Sequence, residues 1–227
     1  MKEPKRPAWF ITGTDTEVGK TFATCALLHR LRADHVPAVG MKPVAAGTDS
    51  AGKNDDVEAL IAASGVEAPR ELINPYLFRP AIAPHIAAAI ESREIDPEHI
   101  VSSFKTLQEL ADTVLVEGAG GFYVPLGAQY DTADLAARLG IPVILVVGMR
   151  LGCINHALLT ARAIAADGLR LAGWVGSAVD PDMAAREDNL AILAARLPAP
   201  CCGVLPFLPD ADPHAAALHL RPASFQP

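Results

Sequence analysis

Aromatic residues make up only 5% of this 227-residue sequence, and it has four cysteines and no excess of positive charge. The 19 Lys and Arg stand against 26 Asp and Glu, a formal charge of −7. Nucleic acid or an anionic membrane as main partner would be expected to attract a basic patch, so the acidity argues against both. Cys25, Cys153 and the adjacent Cys201 and Cys202 form no CxxC and no Cys/His spacing suited to zinc. Buried thiols in a reducing cytosol are the expectation. No uncharged run is longer than residues 118–130, which are broken by glycines, Pro125 and Gln129, whereas a bilayer-crossing helix needs about 20 apolar residues. Residues 1–8 are charged and proline-broken, and Trp9-Phe10-Ile11 is too short for the apolar core of a signal peptide. A soluble, cytoplasmic protein is expected.

What the sequence does contain is aliphatic. Hydrophobic residues reach 51% with a mean hydropathy of +0.25, carried by alanine and β-branched residues, which suits a well-filled core and excludes a disordered chain. No repeat, low-complexity tract or linker is visible, and α/β folds often reach this size as one unit, so a single domain over 1–227 is expected. Short apolar clusters at 8–12, 38–42, 113–117, 142–147 and 171–175 alternate with helical patterns at 20–33, 56–63, 84–91, 97–110, 132–139, 155–166 and 183–197. That alternation predicts an α/β fold, a mostly parallel sheet with helices on both faces and strands buried on both sides. The proline-rich end, 198–227, reads as irregular chain closing over a sheet edge. Ligands of such sheets sit beyond the carboxyl ends of the strands, which directs attention to the residues just after each one.

After the first strand comes Gly13-Thr14-Asp15-Thr16-Glu17-Val18-Gly19-Lys20-Thr21 and then a helix, the context of a P-loop. Gly13 lies one residue too early for the usual spacing and Thr14 takes the first-glycine position, but Gly-Lys-Thr is intact. Backbone N–H groups at the helix start can cradle phosphate oxygens, Lys20 can reach the β- and γ-phosphates, and the Thr21 hydroxyl can bind Mg²⁺. A glycine turn capping a helix is the plainer alternative, and the joint presence of strand, loop and helix favours nucleotide.

Other strand ends supply partners. Lys42 follows the second strand; taken alone, it reads as readily as a solvated cation. Asn54-Asp55-Asp56 opens a helix, where Asn or Asp is most simply an N-cap. Val114-Leu115-Val116-Glu117 followed by Gly118-Ala119-Gly120-Gly121 has Walker B form with Glu for the usual Asp, so Glu117 can complete a metal site begun by Thr21. Farther on, Leu151-Gly152-Cys153-Ile154 leads into Asn155-His156; a loop-to-helix start offers N–H groups to an anion, with Asn155 as a mere cap and a surface His156 as the alternative.

Together these motifs, with Lys42-Pro43-Val44, Asn74-Pro75-Tyr76 and Pro84-His85-Ile86, resemble dethiobiotin synthetases over residues 10–208. The resemblance implies a P-loop NTPase-like fold, a homodimer, and conversion of 7,8-diaminononanoate, CO₂ and ATP to dethiobiotin with Mg²⁺. It implies metal ligation by Thr21, Asp56 and Glu117, with Lys42 and Lys20 catalytic. Nucleotide contacts fall to Glu17, Val18, Gly19, Lys20, Thr21, Phe22, Asp56, Glu117, Gly118, Ala119, Gly120, Ser177, Ala178, Pro206, Phe207 and Leu208. Substrate contacts fall to Thr14, Lys42, Ala46, Gly152, Cys153, Ile154 and Asn155. Three positions depart from the family's pattern. Ala46 and Ala83 stand where hydroxyl residues are common, and Ser177-Ala178 where relatives commonly place an adenine-reading Asn, which leaves selectivity for ATP open. A partition-type ATPase would carry a second lysine where Asp15 stands, and a small-molecule P-loop kinase would carry an arginine-bearing lid.

Overall fold

The computed structural model describes residues 6–208, 210 and 212–221. Its elements are β1 (Ala8–Gly13), α1 (Lys20–Ala33), β2 (Ala38–Met41), β3 (Val44–Ala46), α2 (Asp55–Ala63), α3 (Arg70–Ile73), β4 (Tyr76–Phe78), α4 (Pro84–Ile90) and α5 (Pro97–Leu110), then β5 (Thr113–Glu117), α6 (Thr132–Leu139), β6 (Val143–Gly148), α7 (Cys153–Ala166), β7 (Leu171–Ser177), α8 (Arg186–Arg196), β8 (Cys201–Leu205) and α9 (Pro213–Ala216).

The apolar clusters form strands because each has a hydrophobic partner on both faces. In β1, Ala8 and Phe10 join one core cluster while Trp9 and Ile11 join another, the period of two that a pleated strand imposes. Val114 and Val116 of β5 side with Phe10, and Leu115 with Ile11. Phe104 and Leu107 of α5 and Ala133 and Ala136 of α6 cover the first face. Leu27 and Leu28 of α1 and Leu60 of α2 cover the second. A third cluster packs Cys153 and Ala157 of α7 and Leu193 of α8 against Leu145, Val147 and Trp174.

All six main strands run parallel in the order β2-β5-β1-β6-β7-β8. The chain leaves β1 for the far strand β2 and later returns through β5 and β6 on either side of β1. The carboxyl ends of β5, β1 and β6 therefore lie side by side at the point where strand order reverses, the crevice that ligands use in open α/β sheets. A small parallel ladder of β3 and β4 forms a separate sheet, and just past β2 the Lys42 amide donates to Ile73 O, at the end of α3, at 2.8 Å. The ladder's strands of three residues each are too short to show a period in sequence.

The stretch 198–227 is less irregular than expected. Cys201–Leu205 forms β8, parallel to β7; its flanking prolines confine it to a short edge strand. The chain end then covers that edge, with the Arg221 amide donating to Cys202 O at 2.8 Å. Gly203, at φ 150, admits this approach, because a Cβ there would stand 2.3 Å from His219 O. Residues 222–227 lie outside the described residues. Helix starts also shift: α2 begins at Asp55, α7 at Cys153 and α8 at Arg186. No described helix is long and apolar enough to cross a membrane.

Helix α6 starts with a capping box in which the Asp131 carboxylate accepts from the Ala133 and Asp134 amides and the Asp134 carboxylate accepts from the Asp131 amide. Asp131→Ala is expected to lower unfolding stability by about 1 kcal/mol, read from the urea midpoint, with the near-ultraviolet spectrum unchanged.

Candidate active site

Beyond Gly13 the chain turns back on itself over the strand ends. The Thr14 amide donates to Val146 O at 3.0 Å, fixing the loop to β6. Gly19 adopts the left-handed conformation at φ 82, and no side chain caps α1, so the helix presents its first N–H groups to an incoming anion. Gly148 permits the fit, since a Cβ there would stand 2.8 Å from Val18 Cγ1. Lys20 Nζ donates to Asp15 O at 3.0 Å. Burial, and then the charge of Lys42, pulls Lys20 down to about 8; a phosphate beside it would favour the charged form.

Two strand ends and the first turns of two helices meet at Lys42. Its ammonium group, 6% exposed, donates to Asp56 Oδ2 at 2.8 Å and to Glu117 Oε1 at 2.5 Å. Thr21 Oγ1 donates to the same Glu117 oxygen at 2.7 Å. Burial disfavours the charge on Lys42, but the carboxylates of Glu117 and Asp56 outweigh it and raise the group above the ordinary lysine value. Burial likewise opposes ionisation of Asp56, and Lys42, then the Thr21 hydroxyl and Lys20, hold it below the usual carboxylate range. The carbonyl of Lys42 is itself anchored by Asn74 Nδ2 at 2.6 Å. The capping question at α2 is answered by Asn54, whose side chain accepts from the Val57 amide at 3.2 Å. Asp56 is thus free to face Lys42.

Glu117 Oε2 is buried without a hydrogen-bond partner, which a bound cation would relieve. Among the described residues no group of three or more His, Cys, Asp or Glu is placed to hold a metal. Two carboxylates and a hydroxyl are hard oxygen donors, and Mg²⁺ typically takes one or two carboxylates and completes its shell with phosphate oxygens and water. The residues present fit that ion.

A cleft of about 650 Å³ opens from this group. Lys42, Asp56 and Glu17 line it together with polar Thr16 and Asn54 and apolar Ala46, Ala81, Ile82, Pro84 and Val124. Ala119 and Gly120 also border it, while Gly118 packs against Phe10. Ser177 and Ala178 end β7 beside Leu205, so Pro206, Phe207 and Leu208 emerge next to them. Phe22 lies half-buried on α1. Thr14 sits under the loop, its Oγ1 3.5 Å from the Gly148 amide. Gly152, Cys153, Ile154 and Asn155 open α7 but do not line this cleft. Gly152 is the N-cap residue, so Asn155 caps nothing, and His156 is exposed. His85 faces a separate cavity of about 350 Å³ with Arg93 and Tyr130. The cysteines are free; burial pushes Cys25 and Cys202 up to about 12, which leaves them unreactive. Motif reading missed Ala81, Ile82 and Val124, which are apolar residues outside any functional motif.

A family model described as an AAA domain matches residues 8–215. The ATP-dependent dethiobiotin synthetase BioD of Aromatoleum aromaticum is 56% identical over 97% of this chain and 99% of its own length. The chain belongs to the dethiobiotin synthetase family. The protein of the same name from a Janthinobacterium species is 52% identical over 93% of this chain and 92% of its own. Among solved structures, a ParA family ATPase from Chlorobium tepidum aligns with a TM-score of 0.56 at 12% identity, covering 94% of this chain and 88% of that one. The MinC:MinD complex of Aquifex aeolicus aligns at 0.55 and 14%, covering 92% and 86%. At such identities these neighbours share the P-loop NTPase fold alone. In this dethiobiotin synthetase-family chain, the loop geometry makes one substitution decisive. A Cβ at Gly19 would stand 2.5 Å from Ser177 Oγ, at a φ that L-residues avoid. Gly19→Ala is expected to weaken nucleotide binding at least about tenfold, measured by calorimetry on protein whose circular dichroism matches the parent.

Proposed function

We propose that the chain is an ATP-dependent dethiobiotin synthetase acting on 7,8-diaminononanoate and CO₂. The observation that carries this reading is the Lys42 ammonium, held between Asp56 and Glu117 in a cleft that loop residues Thr16 and Glu17 and apolar residues also line. The ammonium suits phosphate and carbamate, and the apolar residues suit an aliphatic chain.

One substrate amine takes up CO₂ as a carbamate, which must approach the γ-phosphorus although both carry negative charge. Lys42 and Lys20 offset that repulsion and the charge that develops as the phosphoryl group transfers. Thr21, Asp56 and Glu117 would hold Mg²⁺, which supplies further neutralisation of the phosphate oxygens when bound. Attack of the second amine on the carbamic-phosphoric anhydride closes the urea ring and releases phosphate. Because both amines belong to one bound molecule, this step gains from intramolecular geometry. No protein nucleophile is needed.

The nucleotide would lie along Glu17–Phe22 and Gly118–Gly120, with its base toward Ser177, Ala178 and Pro206–Leu208. We also assign the chain to a single domain and a cytoplasmic homodimer without nucleic-acid or membrane partners. Gly152–Asn155 do not line their own chain's cleft, so in this reading they serve the substrate as part of that assembly.

Purified protein given diaminononanoate, bicarbonate, Mg²⁺ and ATP is expected to form dethiobiotin, detected by mass spectrometry, and its absence would refute the proposal. Ser177 offers no bidentate amide to the base, so discrimination against GTP and CTP in the same assay is expected to stay below about a hundredfold.

A further inference from the structure

The phosphate loop contains an acid in an awkward place. Asp15 lies between Thr14 and Thr16 in the segment that must receive a polyanion, yet its carboxylate is fully engaged. Oδ1 accepts from the Thr16 amide at 2.8 Å. Oδ2 pairs with a guanidinium nitrogen of Arg150 at 2.8 Å. Its carbonyl accepts from Lys20 Nζ at 3.0 Å. Arg150 comes from a different strand end, the turn between β6 and α7, and among the described residues its guanidinium makes no other hydrogen bond or ion pair that the structure records. The pair is half-exposed, with side chains 42% and 50% accessible, so it adds little to stability. Its consequence lies in the field at the loop: an unpaired carboxylate beside Lys20 would both repel a triphosphate and compete for the lysine.

We infer that Arg150 is a positioning residue for the phosphate loop: by pairing with Asp15 it cancels that negative charge and holds the carboxylate turned away from the phosphates. The inference rests on the reading of this loop as the ATP site. Arg150 touches no substrate atom in this account and acts only through Asp15.

The test is the affinity for a non-hydrolysable ATP analogue with Mg²⁺, by calorimetry, for the parent, Arg150→Ala and the double variant Asp15→Asn/Arg150→Ala. Arg150→Ala is expected to weaken binding about tenfold, the order expected of one uncompensated charge several ångströms from the phosphates. The deficit should shrink with added salt, and adenosine, which lacks phosphates, should bind all three proteins equally. In turnover, the effect should fall on KM for ATP more than on kcat. Removing the acid as well should restore affinity to within about threefold of the parent. A merely structural role for Arg150 predicts no such rescue. ATP binding by Arg150→Ala as tight as by the parent, or a double variant as weak as the single, would overturn the inference while leaving the nucleotide site intact. A parent protein that binds no ATP would overturn the nucleotide reading and this inference with it.

Discussion

A carboxylate with no solvent exposure at the end of a central strand is costly unless its charge is answered, and in this protein a single lysine answers it. Removing one partner of a buried ion pair typically costs about 3–5 kcal/mol. Glu117 is 0% exposed, and the Lys42 ammonium and the Thr21 hydroxyl share its Oε1. That pairing draws β2, β5 and the helix after the phosphate loop into one polar group. Its second oxygen, left without a partner, is where further positive charge belongs.

The constraint also sets the division of labour around the cleft. Because the charged groups gather at the strand ends, much of the rest of the cleft can be lined by alanine, isoleucine, proline and valine. An overall charge of −7 is compatible with anion chemistry for the same reason. Lys20 and Lys42 bring their charges to the strand ends, and Arg150 answers the acid of the phosphate loop. Elsewhere the surface can stay acidic.

Much of this was legible in the residues. The strands were readable because burial on both faces makes them short, apolar and rich in Val and Ile. The phosphate loop and Glu117 were readable because strand, glycine and acid occur in a fixed local order. Lys42 was not: alone it is one more lysine after a strand, and its role came from the resemblance of the whole set of motifs. Asp56 could not be told from a cap by its position alone; the resemblance moved it to the metal set, and the structure gives the capping to Asn54. β8 escaped because prolines flank it and its stability comes from β7 and the returning chain end. The Arg150–Asp15 pair and the apolar lining of the cleft escaped for another reason. They are products of strand order, which places residues far apart in sequence side by side and leaves no local trace.

The central claim is that the Lys42 charge serves the transferring phosphoryl group and is not merely the brace of a buried acid. The most direct test is Lys42→Ala, with nucleotide affinity and dethiobiotin formation measured on the same folded preparation. This account predicts nucleotide affinity within about threefold of the parent and product formation reduced by a factor of about 10³ or more. Turnover near the parent's, or loss of nucleotide binding in protein that keeps the fold, would contradict it.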